Sequence, residues 1–423
     1  MATGKRDHLK PKLERLKTSF KNPLVDIALT DYQRSLGIKP RQLENLRQKS
    51  DPLADECTRA LHVKPGTDSL KALDEYLSRP LEDQASAAPR KFMEQVTTTP
   101  NWFDAELLIQ GQNVFWKYLL VIGLILTHYS LVMGFAASRV TDILSCTNYF
   151  SSVKGAFQRV IETVKFVTDI MSGPEALTPL TGVGWKSMIR VRLLHTQVRL
   201  RILAQAEKRP GIYDVKELGV PINQEDMLGT LCVFSIAVIT LLRKIGVYMS
   251  PSEVKAYLYF WCFTGYLLGV DEEYCQKLMT EAQAAAIGES IANHLVDPDA
   301  GSVFMTHNLL QAFALFLPLG VHVALARLLV GDKVSDNLEI PPSKWYWRII
   351  TSCCLLGLRW MSCSTIFLQK RIDFCRKYFP LLVDYYLQRL WAKNAFHKPV
   401  ACDFVLKFLP HIVAEDPDDG SKK

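Results

Sequence analysis

Between Lys117 and Arg139 the chain runs for 21 residues, Tyr118 to Ser138, without one charged side chain, and Gly301 to Ala326 is uncharged up to Arg327. A bilayer takes a helix of about 20 such residues. A large helical core takes one that is wrapped on all sides. The polar residues inside the two stretches weigh between these homes. Thr127, His128 and Ser130 interrupt the first, and His307, Asn308, Gln311 and His322 the second. Lipid penalises such groups, whereas a core can hydrogen-bond them. The other apolar stretches, Met227 to Leu242 and Ala256 to Val270, are marginal or short for a span and alternate with charged turns. Buried core is therefore the reading, with membrane spans at 118–138 and 301–326 as the alternative.

The surrounding sequence reads as helix throughout. From Pro100 onward, runs of helix formers are separated by Gly, Pro and Asp, and hairpin signals are absent. Helices are expected near 103–118, 119–137, 139–147, 152–172, 185–207, 223–245, 251–268, 271–295 and 303–330. Their ends carry chemical markers: Ser250-Pro251-Ser252-Glu253 opens one with proline in the first turn, Asp271-Glu272-Glu273 puts acids at another N-terminus, and Asn223 is placed to cap a third. The expected fold class is all-α, a globin-like multi-helix core with helical N- and C-terminal extensions. Its divisions fall at 1–95, a basic, partly flexible arm; 96–335, the main helical domain; and 336–423, further helices after the Pro341-Pro342 break and a loose tail. Trp345-Tyr346-Trp347 in the last part reads either as an interface or membrane-rim cluster or as a packed core corner.

Charge and cysteine usage narrow the function. Residues 1–50 hold 12 Lys/Arg against 5 Asp/Glu, which leaves 38 against 38 in the remainder. A balanced body gives no footprint for nucleic acid. The ten cysteines are scattered without a C-x-x-C and read as reduced packing residues. No cleaved signal peptide is expected, since charges recur every few residues from Met1 to Phe20. Leu9, Leu13, Leu16 and Phe20 follow helical spacing among basic residues, which allows a membrane-surface helix as well as a solvated arm. The expected location is cytoplasmic, or on the cytosolic side of a membrane such as the endoplasmic reticulum.

Two helices carry residues with chemical potential. Val191, Leu194, His195, Val198 and Ile202 share one face, so His195 points inward with an apolar stripe, and Arg192 and Arg199 flank it at i−3 and i+4. A buried imidazole needs a partner, either a hydrogen-bond acceptor in an ordinary core or a metal. On the preceding helix, Arg159 and Thr163 stand one turn apart. Both can donate to an oxyanion or to dioxygen, or Thr163 can simply bond its own backbone. Zinc, P-loop and G-x-S-x-G signatures are absent.

The order of motifs is more specific than any one of them. Pro100-Asn101-Trp102-Phe103-Asp104 with Gly111, then Arg159-x-x-x-Thr163 with Phe166, then Arg190-Val-Arg192-Leu-Leu-His195-x-x-Val-Arg199, then Gly219-Val-Pro-Ile-Asn-Gln-Glu-Asp226-Met227 resembles the rubber oxygenase (latex-clearing protein) family and the fungal endoplasmic-reticulum-bound oxygenases of the mycophenolic-acid pathway. The resemblance covers about residues 96–335. It implies a haem b iron with His195 as axial ligand and Arg159 and Thr163 at the distal face; Arg192 and Arg199, on the same helix as His195, are placed where they could meet the acids of such a haem. It further implies dioxygen-dependent cleavage of an isoprenoid-like C=C bond in a hydrophobic olefin. The chain departs from the pattern where rubber-cleaving members carry a glutamate base, since Thr141 to Phe150 offers only Asp142. It departs again where they carry a distal lysine, here Glu162. Asp226 is a candidate for a supporting role. A haem-binding sensor or carrier without turnover, and a helical membrane protein without haem, are the competing readings.

Overall fold

The computed structural model describes residues 29–63, 68–147, 150–209, 211–314, 316–364 and 368–392. Among them there is no strand beyond a single bridge between Ala137 and Asp297, and the fold is all-α. The elements that position the site are α1 (Pro52–Leu61), α2 (Ala88–Thr97), α3 (Ala105–Ile125), α4 (Ser138–Cys146), α5 (Val153–Ile170), α6 (Val183–Lys208), α7 (Gln224–Phe234), α8 (Ile236–Lys244), α9 (Pro251–Leu267), α10 (Glu281–Leu295), α11 (Ala300–Phe313), α12 (Leu319–Val330), α13 (Trp345–Cys363) and α14 (Leu368–Ala392).

The expected helix starts fall where their chemistry places them. Asp104, a cap outside those expected, accepts from the Glu106 and Leu107 amides, each at 3.0 Å, to open α3. Asn223 accepts from the Asp226 amide at 3.0 Å to open α7. Ser250 and Glu253 form a reciprocal capping box on α9. Several ends differ from the periodicity reading. The expected pair 103–118 and 119–137 is one helix, α3, continuing through a π-turn at Leu126–Ser130 into Leu131–Phe135. The expected 303–330 helix is broken, because Pro318 cannot continue α11 and instead opens α12. The expected 223–245 helix breaks at Ser235, whose φ and ψ of −106° and −90° leave the helical region.

The first uncharged stretch lies mostly in the protein interior, whereas the second surfaces at Phe304, Gln311, Phe316 and Leu317; several polar residues of both are hydrogen-bonded within the fold. Thr127 donates to the Gly123 carbonyl (2.9 Å) and Ser130 to the Val233 carbonyl (2.7 Å). His128 and His322 meet ring to ring, Nε2 to Nδ1 at 2.9 Å, and Asn308 donates to the Phe150 carbonyl at 2.8 Å. By length and apolarity Ala105–Phe135 and Gln224–Lys244 could each cross a membrane, but most of each window is buried by other helices. The 301–326 stretch is two shorter helices.

Helix α3 is the central strut, packed along α9. Gly111 makes that possible: a Cβ there would stand 2.6 Å from the Ala256 carbonyl oxygen and from Phe260 Cβ, so only hydrogen lets the two backbones approach. Trp116, Trp185, Tyr129, Tyr257, Phe92 and Phe260 fill the core around it. The described part of the N-terminal arm wraps onto the same core. Leu43 and Leu46, Ala54 and Cys57, Leu70 and Leu73, and Phe92 and Val96 are buried there. The Leu9–Phe20 stripe and the 414–423 tail lie outside the described residues.

Candidate functional site

Helix α6 carries the candidate ligand because its apolar stripe passes from one cluster to another. Val191 and Leu193 belong to the main core. Leu194, Val198 and Ile202 belong to a second, smaller cluster with Ile143 of α4, Tyr213 and Leu218. His195 stands at this seam. Its Nδ1 is buried and has no hydrogen-bond partner, although the residue keeps some exposed surface. Burial holds the ring pKa down to about 4, and the guanidinium charges of Arg199 and Arg159 push the same way. The imidazole is therefore neutral at physiological pH.

Helices α5 and α6 pack side by side, which brings Arg159 within electrostatic reach of His195. Arg159 donates to Glu162 at 3.0 Å, and Gln158 donates to the other oxygen of that carboxylate at 3.1 Å. Glu162 is thus engaged in holding the guanidinium. Thr163 donates to the Arg159 carbonyl at 2.9 Å, the local backbone bond open to any helical threonine, and its oxygen lone pairs remain as acceptors. Asp142 on α4 lies where its charge acts on Cys146 and Tyr213.

The two flanking arginines are both engaged by other segments of the chain. Arg192 is buried and donates to Asp51 through Nε (2.7 Å) and Nη2 (3.2 Å), to Gln95 (2.8 Å) and to the Leu267 carbonyl (3.4 Å). Arg199 is buried and donates to Asp55 and to the Pro221 and Ile222 carbonyls, the latter two at 3.0 and 2.8 Å. Their donors clamp the N-terminal arm and the 219–223 loop onto α6. Helical spacing places Arg192 and Arg199 beside His195, and carboxylates of the N-terminal arm, Asp51 and Asp55, reach them there.

The Gly219-to-Met227 motif has a similar explanation. Gly219 has φ +84°, and a Cβ there would strike Arg47. Gln224 donates to the Ser50 and Gly269 carbonyls and accepts from the Asp271 amide, tying three segments together. Behind it, Glu225 is fully buried and bonded to His294. Burial lifts the Asp226 carboxyl to about 7, helped by the Glu225 charge and opposed by the Asn223 amide, Arg139 and Arg47. Sequence reasoning did not single out Tyr213 or Arg139, whose OH and Nη1 are buried without hydrogen-bond partners near this cluster. Neither position carries a local signal, since each gains its role from the fold.

The Asp226 carboxyl yields a pH prediction. The folded protein holds its proton to about pH 7, whereas an unfolded chain releases it near the ordinary value of about 3.9. Its contribution to stability is complete below that ordinary value and is lost as pH rises through about 7. Asp226→Asn, which keeps an acceptor for Asn223, should therefore melt higher than the native protein at pH 8, with the gap closing toward pH 5. A gap that does not change with pH would refute the assignment.

Cavities open elsewhere as well. One of about 260 Å³ is walled by Phe103, Leu108, Leu177, Trp185 and Phe263, and a groove of about 620 Å³ runs between α1 and α6 past Arg59, His62 and Arg201. Neither is lined by His195. Among the described residues no three His, Cys, Asp or Glu side chains gather to hold a bare metal ion. What fits a haem iron is His195 itself, a neutral imidazole with a sealed nitrogen that no protein group occupies.

Comparison with known proteins adds the family. The rubber oxygenase of Streptomyces sp. (strain K30) is 23% identical over 268 residues, 62% of this chain and 63% of that protein. The match thus spans less than two thirds of that relative's length. The solved latex clearing protein LCP in its closed state superposes with a TM-score of 0.58 at 20% identity, over 82% of this chain and 92% of that one, a likeness of fold. The sequence model of the family described as "ER-bound oxygenase mpaB/B'/Rubber oxygenase, catalytic domain" matches residues 116–360, more than half of the chain and inclusive of every candidate residue on α4, α5 and α6. The chain belongs to this oxygenase catalytic-domain family.

Proposed function

We propose that this protein is a haem b-dependent oxygenase that uses dioxygen to cleave or oxidise a C=C bond in a hydrophobic, isoprenoid-like olefin. The observation that carries the reading is the buried, neutral, unbonded nitrogen of His195 beside Arg159. An imidazole left without an acceptor in a core is costly, and iron coordination would satisfy it. When bound, the haem supplies the redox centre at which dioxygen is activated.

The chain's own residues do the rest. Arg159 and Arg199 disfavour protonation of His195, which keeps its lone pair available. Glu162 fixes the direction of the Arg159 guanidinium, a permanent charge suited to stabilising negative charge that develops on oxygen. Leu194 and Val198 present apolar surface on the His195 face, which excludes water and favours a greasy substrate. Asp142 and Glu162 are the carboxylates nearest the expected base positions. Because Thr141 to Phe150 offers only Asp142 and Glu162 stands where rubber-cleaving members carry a lysine, the proposed substrate is a smaller olefin and not the rubber polymer.

One observation favours a second reading, a haem-binding sensor or carrier: Thr163 spends its proton on its own helix and Glu162 is committed to Arg159. Reconstituted ferrous protein, incubated with oxygen and farnesyl-type olefins, separates the two. Carbonyl products seen by mass spectrometry, and lost in Arg159→Met, support the oxygenase. A Soret band with no product supports the carrier, and protein that stays colourless after haem addition defeats both.

A further inference from the structure

Helix α13 carries apolar side chains on its outer as well as its inner face. The residues it turns toward the protein include Thr351 and Ser362, both buried, while Trp345, Ile349, Ile350, Leu356 and Trp360 face away from it. Trp345 is 73% exposed, Leu356 65% and Trp360 69%. A water-facing helix keeps its outer face polar. Helix α14 repeats the pattern: Ile372, Val383 and Leu387 are buried, and Phe374, Tyr378, Leu381, Leu382 and Tyr385 recur at helical spacing on an exposed stripe. Both helices rest on α3, and Arg371 of α14 bonds the Met361 carbonyl at the end of α13. So much neighbouring apolar surface, far beyond scattered single residues, marks an interaction site.

Charge identifies the partner. Lys344 at the N-terminus of α13 and Arg348, Arg359, Lys370 and Lys377 on the two helices are exposed, against one exposed acid among their described residues, Asp373. Asp384 is held by Lys165 at 3.3 Å. Lys344 and Lys377 lie over the Tyr346 and Tyr378 rings, at 5.9 and 5.2 Å from the centroids. Two copies of this face brought together would set cations against cations, which opposes a symmetric dimer. Trp345 and Trp360 stand about 22 Å apart along the helix axis with aliphatic residues between them. Aromatic ends, an aliphatic middle and flanking cations are the features of a helix that lies in the headgroup layer of a membrane.

We propose that α13 and α14 form a docking surface for an anionic lipid bilayer, with α13 lying in the plane of the interface. This inference does not depend on haem or on turnover. Its test is flotation of the full chain with vesicles of phosphatidylcholine, with and without phosphatidylserine. The protein floats with phosphatidylserine vesicles and is released by salt. Reversing Lys344, Arg348 and Arg359 to Glu weakens binding roughly tenfold or more, and Leu356→Glu with Trp360→Glu abolishes it. Because the altered side chains face outward, circular dichroism and melting temperature stay close to native. Full-length protein that remains unbound with both vesicle types overturns the proposal. So does a dimer, seen by light scattering, that Trp360→Glu splits while no vesicle binding occurs, since the face would then join two copies. Equal binding of the native chain and the Leu356→Glu, Trp360→Glu variant overturns it as well.

Discussion

His195→Leu should yield an apoprotein that is more stable than the native one by about 1 kcal/mol and that no longer develops a Soret band on reconstitution. The two effects have one cause. The native ring buries a polar nitrogen that no protein group satisfies, between apolar neighbours and under the field of two arginines. Leucine removes the unsatisfied group and fills much of its volume, so the protein without cofactor gains. The same substitution removes the single nitrogen on which iron binding is proposed to rest. Functional sites commonly hold residues that cost stability in this way. Thermal melts of apoprotein and absorbance after haem addition test it together. A lower melting temperature with the band retained would make His195 an ordinary packing residue.

Arg192→Met should destabilise the fold by ~3–5 kcal/mol, because it leaves Asp51 buried and uncompensated. The loss appears in protein that has never met a cofactor, which separates clamping of the arm from a role toward haem. Lysine will not restore stability, since it cannot reproduce the two-pronged contact with the carboxylate. Gly269 closes over the pair at φ +89°, where a Cβ would lie 2.2 Å from Asp51 Oδ2, so the loop leaves no room for a rearranged partner. Combining Arg192→Met with Asp51→Asn, which retains an acceptor for the Ala54 amide, should be milder than Arg192→Met alone. Denaturant unfolding measures all three. Additive losses, or an Arg192→Met protein of native stability, would return Arg192 to the cofactor side.

The local geometry of the candidate residues was legible in the sequence. His195 reads inward from its place in an apolar stripe, and Arg159 and Thr163 are neighbours on a helix by spacing alone. The Thr163 hydroxyl bonds its own backbone, the bland alternative that helical geometry always offers. The aromatic triplet Trp345-Tyr346-Trp347 was ambiguous between core corner and interface, because periodicity reports that a helix has an apolar face but not which neighbour covers it. The structure leaves Trp345 exposed and packs Trp347 against Gly320.

What the sequence determined by itself is the local part: helix content, the caps at Asn223 and Ser250, and the place of His195 in an apolar stripe. These follow from interactions within a turn or two of the chain. Tertiary structure alone decided the destinations of the buried charges. Arg192 meets a carboxylate 141 residues earlier in the chain, and Arg199 one 144 residues earlier. A guanidinium binds whichever anion the fold delivers to it, and no local pattern records which segment arrives.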